Sequence, residues 1–107
     1  MNYLNFNGNK ASGGKLFTSL EDKLVLVTGG EKGIGKAIAE KFIEAGSRVA
    51  VVGIDRETGQ ETAEELGEKA RFYYTDVSDE EEVKNLTDEV EKEQGKVDIV
   101  VNNAGIL

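Results

Sequence analysis

Four short apolar runs, separated by stretches with helical spacing, organise the chain. Leu24-Val25-Leu26-Val27, Val49-Ala50-Val51-Val52, Ala70 to Thr75 and Val97 to Val101 each read as a strand. The second run is apolar without alternation, which predicts burial on both faces, as in a parallel sheet covered by helices. Between the first two runs, Ile34, Ala37, Ile38 and Phe42 recur at helical spacing, predicting a helix from about Gly33 to Ala45 that ends at Gly46. The stretch Glu57 to Lys69 predicts a weaker helix, with Ala63 and Leu66 inward and Gly59 and Gly67 working against it. Ser78-Asp79-Glu80-Glu81 matches a capping box with Ser78 at the N-cap. It precedes Val83, Leu86, Thr87 and Val90, and Gly95 closes that third helix.

Strand and helix therefore alternate three times and finish on a fourth strand. With right-handed crossovers, placing the first two helices on one face and the third on the other returns strand four beside strand one. The expected architecture is an α/β, Rossmann-like half: a parallel sheet of about four strands in the order 3-2-1-4, with helices on both faces. Its switch-point crevice lies between the carboxyl ends of strands one and four. Residues 1–20 show neither a period of 2 nor one of 3.6 and read as a flexible N-terminal tail, leaving residues 21–107 as the domain. A docked arm using Phe6, Leu16 and Phe17 is the other reading of that tail.

Composition narrows the chemistry. The chain has 107 residues, enough for one small domain, and contains neither cysteine nor histidine. Disulfides, thiolate or imidazole metal sites and a histidine general base are thereby excluded from this chain. Thirteen basic against 21 acidic residues give a formal charge of -8, which disfavours nucleic acid and anionic membrane surfaces as partners. No apolar run approaches the ~18 residues of a membrane span, and the first residues lack a signal-peptide core, so a cytoplasmic protein is expected.

The chemistry-bearing stretch is Thr28-Gly29-Gly30-Glu31-Lys32-Gly33-Ile34-Gly35, a glycine turn joining the first strand to the first helix. Free amides at the helix start, the helix dipole and the close approach that glycine permits make such a turn a phosphate site. Gly30 to Lys36 also fits a P-loop, but Ala37 stands where a Ser or Thr hydroxyl should hold magnesium. The glycines at 29, 33 and 35 instead give T-G-x-x-x-G-I-G, one residue longer between the first two glycines than G-x-G-x-x-G.

This turn, an acidic residue beyond strand two, Asp76-Val77 after strand three and Asn102-Asn103-Ala104-Gly105 after strand four resemble, at the expected intervals, the short-chain dehydrogenase/reductase family. The resemblance covers about residues 20–107 and implies an NAD(P)-dependent oxidoreductase acting on an alcohol or carbonyl, usually dimeric or tetrameric. It implies cofactor contacts from Gly29, Gly33 and Gly35, with Lys32 to Ile34 near the adenosine ribose and pyrophosphate. Asp76 and Val77 would meet the adenine, and Asn102, Asn103, Ala104 and Gly105 would support the sheet and border the ribose and nicotinamide half.

Two features pull the cofactor choice apart. Asp55 stands 20 residues after Gly35, the spacing expected for a carboxylate on the ribose 2'-hydroxyl, which favours NAD. Lys32 resembles NADP-preferring members, Arg56 is a second candidate for a 2'-phosphate, and the position where NAD-specific relatives most often carry the acid is Gly53. The balance favours NAD, with NADP as the other cofactor. The family's catalytic Ser, Tyr and Lys, the last two spaced Y-x-x-x-K, lie beyond the asparagine motif, and neither Tyr73 nor Tyr74 has a lysine four residues on. The chain is therefore expected to be the N-terminal, cofactor-binding part of a dehydrogenase, with no nameable catalytic residue and an open apolar edge at strand four. A non-catalytic dinucleotide-binding or interaction module is the alternative.

Overall fold

The computed structural model describes residues 2–3 and 20–103. In chain order the elements are β1 (Asn2–Tyr3), β2 (Leu24–Thr28), α1 (Gly33–Glu44), β3 (Arg48–Gly53), α2 (Arg56–Leu66), β4 (Ala70–Tyr74), α3 (Glu80–Gln94) and β5 (Ile99–Asn102). All strands pair in parallel, in the order β1-β5-β2-β3-β4. The four strands expected from the sequence take the order 3-2-1-4, as the crossover argument requires. One edge departs from expectation: Asn2 and Tyr3 pair with Ile99 and Val100, so β5 carries a neighbour along part of its length. Phe6, Leu16 and Phe17, the residues of the alternative docked arm, lie outside the described residues.

Alternate residues of each central strand serve opposite layers. Val25, Val27, Val49 and Val51 pack with Ala39 and Phe42 of α1, joined by Leu66 of α2 and by Phe72. Leu24, Leu26, Ala50 and Val52 pack on the other face with Leu86 and Val90 of α3 and with Tyr73. Each fully buried valine contributes about 1.5–3 kcal/mol relative to exposure, which explains the β-branched apolar runs in the middle of the sheet. Leu24 and Asp98 align β2 with β5: the Asp98 amide donates to the Leu24 carbonyl, and the Leu24 amide donates back to Asp98 Oδ2, both at 2.9 Å.

Helix ends follow local chemistry, with one shift. The N-cap of α3 is Asp79, not Ser78: Asp79 Oδ1 accepts from the amides of Glu81 and Glu82. Ser78 is taken instead by Asp76, whose Oδ1 accepts both its amide at 3.0 Å and its hydroxyl at 2.7 Å. The expected weak helix runs from Arg56 to Leu66, three residues short of its expected end, because Gly67 terminates it. Gly46 and Gly95 follow α1 and α3 with φ of +92° and +101°, a region that favours glycine. No described buried side-chain nitrogen or oxygen lacks a partner. No helix among the described residues is long and apolar enough to cross a membrane.

Candidate cofactor-binding site

The carboxyl ends of β2, β3, β4 and β5 converge on the glycine turn. Gly29, with φ +66°, turns the chain out of β2 while its amide donates to the Val52 carbonyl at 2.7 Å. The turn folds back so closely that a Cβ added at Gly35 would lie 2.0 Å from the Gly29 carbonyl oxygen. Gly35 is thus demanded by the backbone that approaches it.

Lys32 is the N-cap residue of α1; it is extended and caps nothing with its side chain, and the first turn carries no acidic residue. The leading amides of α1 therefore keep their capacity to bind an anion. By contrast, α2 and α3 are both capped by aspartates, Asp55 and Asp79. Of these three helices, only the one behind the glycine turn presents an uncapped, electropositive end.

Beside this turn lies a cavity of about 360 Å³, walled by Gly29, Lys32 and Ile34 from the turn, Gly53 from β3, and Asp76 and Val77 following β4. That volume lies at the lower end of the range of small-molecule sites, about 300–1,000 Å³. Ile34, Ile54 and Val77 are exposed large hydrophobic residues, and all three border this cavity. Apolar surface left open at the site is what an aromatic ligand such as a purine would cover.

Asn103 joins the far wall to the turn. Its side-chain amide donates to the Gly29 carbonyl at 3.3 Å, and its backbone amide donates to Thr28 Oγ1 at 3.0 Å. The exposed Asn102 accepts from Thr28 Oγ1 at 3.4 Å. Ala104 and Gly105 lie outside the described residues. Gly29, Lys32, Ile34, Asp76, Val77 and Asn103 thus line one cavity at the switch point, while Gly33, Gly35 and Asn102 stand next to lining residues in the chain without lining it themselves.

Asp55 sits differently. Both of its carboxyl oxygens engage Thr58, through the amide at 3.0 Å and the hydroxyl at 2.9 Å, and it is not on the cavity wall. Those bonds, the amide first, hold its carboxyl below the usual aspartate range, with the positive charge of Lys32 a smaller influence. The Ser78 hydroxyl does the same for Asp76. Arg56 lies 3.9 Å over the ring of Tyr74, a cation–π contact outside the cavity lining. Tyr73 is buried, donates to Glu93 and accepts from Gln94, and desolvation pushes its phenol up to about 12. With that pKa the phenol stays protonated at neutral pH.

One wall residue was not singled out from the sequence. Glu31 is 4% exposed, and its Oε2 accepts from the amides of Ile54 and Asp55 at 3.0 and 3.3 Å. The available signal was a pair: an acid inside the glycine turn and a glycine, Gly53, at the end of the neighbouring strand.

Residues 23–107 match the short chain dehydrogenase family. Over 88 residues the chain is 46% identical to tropinone reductase-like 2 of Erythroxylum coca, covering 82% of this chain and 32% of that protein. An uncharacterized oxidoreductase of Thermotoga maritima is 45% identical over 91 residues, 82% of this chain and 36% of the relative. A 3beta-hydroxysteroid dehydrogenase of Mediterraneibacter gnavus is 40% identical over 98 residues, 89% and 36%. The chain spans about a third of the length of these relatives. Because the match runs through the sheet, the glycine turn and the cavity alike, the chain belongs to the short-chain dehydrogenase family, whose members are NAD(P)-dependent oxidoreductases.

Proposed function

We propose that this chain binds an adenine dinucleotide, NAD in preference to NADP, as the cofactor-binding part of a cytoplasmic oxidoreductase acting on a small alcohol or carbonyl compound. The observation that carries the reading is the uncapped start of α1, set against a glycine turn too tight for any side chain at Gly35 and opening onto a partly apolar cavity. In this reading the pyrophosphate lies against Gly29, Gly33, Ile34 and Gly35, with Lys32 adding positive charge. Asp76 and Val77 border the adenine. Asn102, Asn103, Ala104 and Gly105 flank the ribose and nicotinamide half. When bound, the nicotinamide supplies hydride exchange; the residues described here bind and orient the cofactor.

None of the three tyrosines, Tyr3, Tyr73 and Tyr74, is followed by lysine at the fourth position, so these residues supply no Y-x-x-x-K proton relay. Dinucleotide binding is therefore the property to measure on this chain. Titration with NADH, followed by nicotinamide fluorescence, is expected to saturate and to be reversed by ADP. Saturable binding of Mg-ATP with no response to NADH contradicts the reading and favours a nucleotide-hydrolysing turn.

A further inference from the structure

The cavity beside the glycine turn holds a buried carboxylate, Glu31. Glu31 is 96% buried by virtue of its 4% exposure, and it lines the same cavity as Gly29, Asp76 and Val77. Its Oε2 is held by the amides of Ile54 and Asp55, and among the described residues no donor reaches Oε1. Its backbone is pinned as well, since the buried Thr62 hydroxyl donates to the Glu31 carbonyl at 2.6 Å. Since no described side-chain oxygen is both buried and without a partner, Oε1 reaches the open cavity, where a ligand donor can meet it.

The neighbouring strand has made room for this group. A Cβ added at Gly53 would lie 2.0 Å from Glu31 Oε2 and 2.2 Å from its Cδ. The Glu31 carboxylate thus fills the space that any side chain at position 53 would enter. An acid at the end of the second strand of a dinucleotide fold characteristically accepts from the ribose 2'-hydroxyl. Here the strand residue is glycine, and a carboxylate reaches the same space from the turn.

We propose that Glu31 reads the adenosine ribose, its Oε1 accepting from a ribose hydroxyl and its charge opposing a 2'-phosphate. The assignment rests on the dinucleotide-binding reading above and names the residue that sets cofactor preference within it. Asp55 is committed to Thr58, and Arg56 is stacked on Tyr74. Lys32 is exposed on the cavity wall, and the reading above assigns it to the pyrophosphate. A 2'-phosphate, with a charge of about −1.5 to −2 at neutral pH, would face the Glu31 carboxylate at close quarters.

The test compares NADH and NADPH affinities of the full chain and its variants, with far-UV circular dichroism reporting the fold. The unaltered chain is expected to prefer NADH. Glu31→Gln keeps the side-chain shape but removes the charge, and the NADH:NADPH preference should fall roughly tenfold or more. Gly53→Asp placed on a Glu31→Ala background returns a carboxylate to the vacated space and should restore the preference. A Glu31 that only braces the turn would weaken both dinucleotides alike, so an unchanged ratio in Glu31→Gln overturns the assignment. If Glu31→Gln does not fold, the double variant decides: recovered preference supports the assignment, and equal binding of the two cofactors overturns it. An unaltered chain that prefers NADPH also overturns it. A folded, unaltered chain that binds neither cofactor removes the dinucleotide reading itself, and this assignment with it.

Discussion

The side chain of Asn103 donates to the carbonyl of Gly29 at 3.3 Å, tying the end of β5 to the glycine turn across 74 positions of sequence. The same residue's backbone amide is held by Thr28 Oγ1. The two walls of the crevice are thereby linked by a residue that also borders the cavity.

Asn103→Ala removes the side-chain bond while leaving the backbone one. The expected cost is about 1 kcal/mol in stability, read as a lower urea midpoint, together with weaker NADH binding from a loosened turn. Full retention of both would show that the turn holds its shape without β5.

Gly35→Ala is expected to be far more damaging, since its methyl would sit 2.0 Å from the Gly29 carbonyl oxygen, and backbone must move to admit it. Overpacking against backbone should cost at least about 2 kcal/mol and abolish NADH binding. Gly33→Ala is the contrast. It meets nothing within 4 Å but has φ +60°, so strain alone applies, at about 1–2 kcal/mol. Equal unfolding midpoints for the two variants would contradict the geometry of the turn.

Much of this architecture is legible in the sequence because the physical signals are local or periodic. The unalternated valine run of β3 requires two covering layers, and the glycine turn must sit at a strand-to-helix junction. The strand order follows from crossover handedness once each helix is assigned to a face of the sheet. The α3 cap shifted by one residue because two candidates, Ser78 and Asp79, adjoin, and the Asp76 carboxylate claims Ser78. Glu31 stayed hidden because its significance depends on the empty space at Gly53, a contact made across the sheet rather than along the chain. The partial pairing of β5 with Asn2–Tyr3 carried no signal at all, two residues being too short for any period.

Thr62→Val tests the brace beneath the turn. The buried Thr62 hydroxyl donates to the Glu31 carbonyl at 2.6 Å, and valine would leave that carbonyl without this partner. A loss of about 1–3 kcal/mol in urea unfolding is expected. A neutral effect would place the stability of the turn elsewhere.

Stability should fall at both ends of the pH scale, for opposite reasons. Asp55 and Asp76 have folded carboxyl pKa values depressed by Thr58 and Ser78, so their contribution is present above the unfolded value near 3.9 and is lost as pH falls through the folded one. Tyr73 is raised to about 12, chiefly by burial. Its contribution is full below the unfolded value near 10 and is lost as pH rises towards the folded one. Urea midpoints measured against pH should show both declines, and Tyr73→Phe should flatten the alkaline one. An alkaline slope unchanged in Tyr73→Phe would contradict the burial argument.

Amide chemical shifts followed by NMR during an NADH titration test the central claim most directly, because they report on the helix start itself. Saturable shifts are predicted at Gly33, Ile34 and Gly35, accompanied by shifts at Asp76 and Val77. A folded spectrum in which those amides stay still at saturating NADH would contradict the account.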